Sequence, residues 1–549
     1  MSSSATPLPA ACLRSTIPPS STLTTTSTSS PIYLGYAGNA SLTISNGGTV
    51  NADGSTYSLM TGSSGPANVT IGITGTGSSL VNAGAVWLGY QGTANLSITG
   101  GGQLSDSGSV IENSTVSIDG AGSTWTDAGS FSLGYFNPGT ASVTNGGNLT
   151  VANLFIGSAT GGNVSTLSVD GPGSTLFLGT SGTAYIGESG AGNLSLTNGA
   201  VMTVQNIEIG ANSGNFTGFL TVNNSTITGG GSIDVGDFGN GNLSVSNGSS
   251  LLNLYALHVG YGSGSNGYAA ISNSTLTTTR EIAAGYSGNG TLILTNGANV
   301  SNGGWFAYVG DGAGATGCLT VDNSTLSTGP MYIGYQGSGF VTVMNGSIVN
   351  TGGGFELGYY SGTQGNLTIT GAGTSWTDTG YYGISVGGSG NGTLLVGNGA
   401  TLNSNGGTIG AASTANGNMT VTDANSAWNI ASGNSLAVGE YGNGTLNILN
   451  GGNVSAPAGY LYVGDTAGSN GTISVSGANS RRILRLQRQY HPNRRPVDGR
   501  RLHQLRRRHR RVQPRWRHAL SLWRVQQRLR QFTAQSRRRH LPGPQPLHR

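Results

Sequence analysis

The sequence predicts an all-β fold: a right-handed parallel β-helix, a solenoid of about 24 residues per rung, over residues 31–480. Three observations carry this. A self-similar unit recurs at a near-constant period, apolar and polar residues alternate with period 2 inside it, and charge is almost absent from the same span.

The unit reads YLGYAGNASLTISNGGTV from Tyr33, WLGYQGTANLSITGGGQL from Trp87, YIGESGAGNLSLTNGAVM from Tyr185, YIGYQGSGFVTVMNGSIV from Tyr332 and AVGEYGNGTLNILNGGNV from Ala437. It opens with an apolar residue and a Gly, whose position marks the period. That Gly is Gly187, Gly210, Gly236, Gly260, Gly285, Gly310, Gly334 and Gly358, at spacings of 23, 26, 24, 25, 25, 24 and 24. A turn rich in Gly and Asn follows. Next comes an alternating strand such as GNLTIT or GTLNIL, with Leu and Ile predicted inward and Thr, Ser or Asn outward. Asn-Gly supplies a positive-φ turn, and a short strand closes the unit. A longer variant carries a second signature, GAGSTW at Gly120, GAGTSW at Gly371 and DANSAW at Asp423, and there the period stretches to 29, as from Gly358 to Gly387. One unit cannot enclose a core, but stacked units can.

Charge follows from stacking. Equivalent residues of neighbouring rungs lie about 4.8 Å apart. Like charges at that distance repel by roughly 1 kcal/mol even in water. Residues 1–480 hold 2 Arg, no Lys and 18 acids, a net 2 − 18 = −16. Asn, Ser and Thr can instead hydrogen-bond along the stack.

The termini speak another language. Residues 1–30, rich in Ser, Thr and Pro, are expected to be disordered and show no signal peptide. Residues 481–549 hold 22 Arg against one acid, a net +21. No apolar stretch is long enough to cross a bilayer. Cys12 and Cys318, so far apart, make neither a disulfide framework nor a zinc site.

The motifs LGY, GNLTIT, NGG and GAGSTW over about residues 31–480 resemble the repeat shared by type V autotransporter passengers and by secreted bacterial proteins with a PEP-CTERM sorting signal. The resemblance implies an exported protein of the extracellular space or cell surface, associated with the outer membrane and acting as a stalk or adhesin. Its expected partners are surface glycans or host and matrix components. Nucleic acid is not expected for the repeat body.

Candidate chemistry is sparse. A slot after the apolar-Gly pair holds Tyr36, Tyr90, Tyr135, Tyr261, Tyr286, Tyr335 and Tyr359, or the acids Glu188, Asp237, Asp311, Glu440 and Asp465. Such a stripe suits sugar or calcium binding, but a ladder stabilised by stacked rings is the preferred reading. The calcium-binding nonapeptide of β-roll repeats is absent. A carbohydrate lyase or hydrolase is the alternative function. It needs a base with a charge neutraliser, or two converging carboxylates. The body offers only Arg280 as a nearby cation, acids that read as single residues on separate rungs, and His258 in a plain strand position. We therefore expect no enzyme, and assign no catalytic, cofactor-binding or metal-ligating residue and no cofactor. Asn-x-Ser/Thr triplets such as Asn95-Leu-Ser arise from ladder composition and carry no glycan inference.

The break at Ser480 interrupts a motif. Gly477-Ala-Asn-Ser480 begins the signature, and Arg481-Arg482 replaces its apolar end. The tail's 22 Arg, 9 Gln and 6 His are what out-of-frame repeat sequence yields. Behind a C, Gly, Ala and Val codons read as Arg, Ser and Asn codons as Gln, and Thr and Ile codons as His. A shifted frame is the expected origin of residues 481–549, and another frame is expected to give Trp, Leu or Phe within three residues of Ser480. Polyanion binding by a genuine basic tail is the alternative.

Overall fold

The computed structural model describes residues 22–25 and 32–483, except 53–55, 159–163, 180, 213–216 and 382. The chain divides into a unit through Leu486 and a unit from Gln487, and the second lies outside the described residues. Every described element is a β-strand, stacked in parallel into a solenoid of about 17 turns.

Each rung has three faces. In one repeat, Asn289–Thr295 forms the first face, Asn299–Ser301 the second and Ala307–Val309 the third, before Thr316–Asp322 returns to the first. First-face strands pair in register with the next, for example Leu292 with Leu319 and Leu294 with Val321. The second and third faces form one 35-stranded sheet, because Thr124–Leu133 and Asn148–Ile156 run unbroken around the corner between them.

Local chemistry shapes the corners. Asn296 and Gly297 both have positive φ, 55° and 84°, so the Asn-Gly pair forms a tight turn that Ala298 N–H closes onto the Thr295 carbonyl at 3.1 Å. At the opposite corner Gly285 has φ 69°, and a Cβ there would lie 2.6 Å from the Thr316 carbonyl carbon. The marker Gly is therefore required twice, by its dihedral and by the closeness of the next rung. Alternation does the rest: Leu292, Leu294, Val300 and Val309 point inward and are buried, each worth roughly 1.5–3 kcal/mol of transfer free energy.

The tryptophans of the long signature follow a rule of their own. Trp125, Trp376 and Trp428 are fully buried. Each donates its indole N–H one rung back, to Asp106 Oδ1 (3.0 Å), Thr351 Oγ1 (3.2 Å) and Ser404 Oγ (2.9 Å). A buried indole needs such an acceptor. Where the earlier rung offers apolar Ala52 or Val151 instead, the same column holds Leu80 or Leu176.

Strand pairing also reaches residues on either side of the repeat span. Thr22–Thr25, inside the segment expected to be disordered, pairs in parallel with Thr49–Ala52. Arg481–Ile483, past the expected end at 480, pairs with Asn453–Ser455. Strand pairing uses backbone groups, so it extends across a change of side-chain composition. The rest of residues 1–30 and of the tail lies outside the described residues, as does Cys12.

Candidate functional site

The third face gathers His258 and many of the acids and tyrosines. Its outward column runs, one residue per rung, through Tyr185, Glu208, Asp234, His258, Ala283, Tyr308, Tyr332, Glu356, Ser385, Thr408, Ala437 and Tyr462. Every member sits two residues before a marker Gly. The slot residues follow that Gly, and several fold back over the column: Tyr261 and Tyr286 lie 5.3 and 4.6 Å from the His258 ring, and Tyr335 and Tyr359 lie 5.2 and 5.1 Å from Tyr332.

The acids are not isolated. His258 is buried, with Nδ1 2.7 Å from Asp234 Oδ1 and Nε2 3.4 Å from Glu281 Oε1. Burial disfavours the imidazolium, but the bonds and charges of Asp234 and Glu281 outweigh it and raise the pKa to about 9. Beside it, burial and then Glu208 and Asp234 push Asp237 up to about 9. This corrects the expectation of single acids and a plain His258. A separation of 23 or 24 residues is one rung, so distant acids become neighbours. An inward pair, Asp106 and Asp127, occupies one register column, and burial followed by their mutual repulsion holds Asp106 well above the carboxylate range.

What can this cluster do? Both His258 nitrogens are engaged by carboxylates, so as an imidazolium it donates from both and has no lone pair for a substrate proton. A general base needs a nitrogen free to accept. The arrangement instead locks three successive rungs together. Among the described residues no group of three His, Cys, Asp or Glu is arranged to hold a metal ion.

The Tyr slot splits into two kinds of place. Tyr36, Tyr90 and Tyr135 are exposed, whereas Tyr261, Tyr286, Tyr335 and Tyr359 are half-buried. Of the slot acids, Asp237 is buried, Glu188, Asp311 and Glu440 are half-buried and Asp465 is exposed. Tyr261 and Tyr286 stack at 5.1 Å and 9°, Phe155 and Tyr185 at 4.7 Å and 10°, Tyr308 and Tyr332 at 5.7 Å and 17°. Stacking between rungs turns ring faces along the solenoid axis, where each covers its neighbour. A sugar that binds by lying on a ring face is denied those faces. Arg280 is used the same way, set over Trp305 at 4.2 Å and Tyr255 at 5.5 Å. Cys318 lies half-buried on the first face, where burial pushes its thiol up.

A surface hollow of about 270 Å³ is lined by Tyr381, Thr408, Glu440, Tyr462 and Asp465 among others, and burial followed by Asp465 raises the Glu440 carboxyl. The first face carries Asn ladders: Asn416 donates to Asn391 at 3.0 Å, Asn443 to Asn416 at 2.9 Å and Asn470 to Asn443 at 2.9 Å. Among the described residues no helix is long and apolar enough to cross a membrane, which leaves strand-built spans undecided. No protein-family model matches the chain, and no curated protein matches it.

Proposed function

We propose that this chain is a non-catalytic repeat protein displayed outside a bacterial cell, a stalk or adhesin whose solenoid acts as a rigid spacer. The observation that carries the reading is how the reactive groups are used. His258, Arg280 and the Tyr column each spend their interaction capacity on the neighbouring rung. Such groups hold rungs in register rather than present themselves to a substrate. Surface display rests on the repeat's resemblance to exported passengers.

Surface labelling of intact producing cells, with protease shaving as a second readout, tests display; protein confined to the cell interior defeats it. Turnover on a panel of pectins, alginates and animal glycans tests the catalytic alternative. Our expectation is no turnover. Turnover that disappears in His258→Ala while the fold is retained would establish the enzyme reading instead.

A further inference from the structure

Within the described residues the solenoid core is exposed at its C-terminal end. Val475 is 49% exposed and Val463 45%, whereas their register partners one rung earlier, Ile448 and Val438, are each 0% exposed. Among the described residues, the last first-face strand, Asn470–Ser476, has a strand partner on one side, Asn443–Leu449. One more strand follows on the second face, and its backbone register pairs Arg482 with Val454, whose own column Trp376, Leu402 and Trp428 fill earlier.

The rung is built in the usual way up to Ser480. Ser480 Oγ accepts from Gly451 N–H at 3.0 Å and donates to the Ser476 carbonyl at 2.7 Å. Ser123 makes the same two bonds, to Gly101 and Asp119, and Ser174 makes them to Gly146 and Asp170. The corner is native, and the side chains after it are not those of the repeat.

We propose that this open end is the seat of a further rung of the same repeat, encoded directly after Ser480 in the frame that starts at the second nucleotide of the Arg481 codon, with valine in the place of Arg482.

The genetic code selects the frame. In it, each Arg codon of the CGN type that precedes a C becomes Gly, Ala, Val or Asp. Each Gln before a C becomes Asn or Ser, and each His before a C becomes Ile or Thr. Residues 487–495, QRQYHPNRR, then permit Ser-Gly-Asn-Thr-Ile-x-Ile-Gly-Gly, the third-face pattern of Ser432–Glu440, SGNSLAVGE, with its apolar-Gly pair at nearly the same distance from the corner serine. The frame from the third nucleotide turns Arg-Arg pairs into Ser, Pro, Thr or Ala and yields no Gly there.

The structure selects the residue. Arg482 followed by Ile483 reads as Gly, Ala, Val or Glu in the restored frame, and only Val fills a buried apolar column. The indole rule agrees independently. The acceptor place for a Trp at this position is Ala456, which is buried and has no side-chain acceptor. The Trp, Leu or Phe expected from the motif is thus replaced by Val.

The test has two arms. Sequencing the gene across the Ser480 codon, together with C-terminal peptides of the native protein, should reveal an open frame with Val at this place. Replacing residues 481–549 of the full chain by the restored rungs should raise the melting midpoint by a few degrees and slow amide exchange over Leu461–Ser476. A stop within the first restored rung, Gly, Ala or Glu in place of Val, Arg-rich tail peptides in native protein, or unchanged exchange would each overturn the proposal.

Discussion

Ile448 and Val475 occupy one inward column, a rung apart, and meet opposite fates: the first is sealed and the second is half open to solvent. The amino-acid types are similar and the strand geometry is the same. What differs is the next rung. In a solenoid, burial is a property of neighbours along the axis, so an apolar residue stabilises only if the following repeat arrives to cover it. The middle of the molecule and its C-terminal end are therefore separate energetic regimes.

That contrast can be broken or sharpened by substitution. The largest effect is expected in the middle, where Trp376→Ala removes a fully buried ring and leaves Thr351 Oγ1 without its indole donor. A loss of about 3–5 kcal/mol is expected, measured by denaturant unfolding. Next comes His258→Ala, which leaves Asp234 and Glu281 buried without their counter-ion, at about 3 kcal/mol. Asn416→Ala, which cuts the first-face ladder on both sides, should cost roughly 1 kcal/mol. At the open end, Val475→Ser should stay within about 0.5 kcal/mol, as surface positions do. If Val475→Ser costs as much as Ile448→Ser, the two regimes do not exist.

The His258 cluster adds a pH axis. Its folded pKa of about 9 lies above the ordinary 6.5, so its stabilisation is complete below pH 6.5 and lost as pH rises through 9. Asp237, pushed up to about 9, and Glu356, pushed by burial to about 7, stay protonated in the fold above the ordinary values of 3.8 and 4.5 at which the unfolded chain ionises, so stability falls from those values upward and the loss is complete near 9 and 7. Above pH 7 His258 and Asp237 slope the same way. Thermal midpoints should fall between pH 7 and pH 10, and the fall should flatten in His258→Asn. A midpoint that rises with pH over this window would refute the assignment of His258 as an imidazolium held by two carboxylates.

Much of this was legible in advance. The marker Gly period, the Asn-Gly turns and the alternating Leu and Ile of GNLTIT defined a parallel solenoid, because strand periodicity and positive-φ turns are local properties written residue by residue. The preference for a Tyr ladder over a sugar stripe was also reachable, since residues at equal positions in successive units must stack. The His258 cluster was missed, though its signal was present: Glu208, Asp234 and His258 all stand two places before a marker Gly. Reading down the period, rather than along the chain, finds them.

Other features needed the third dimension. Glu281 and Asp237 do not share that column position, and only the path of the chain around the corners brings them to His258 and Glu208. The tryptophan rule is likewise invisible along the chain, because its acceptor sits a rung earlier and at the corner. The sequence alone determined the fold, the period and the point where the repeat breaks off, since these depend on local dihedrals and alternation. Only the tertiary structure decided which charges meet, which ring faces are covered and which end of the core is open, because those depend on contacts between rungs some 25 residues apart.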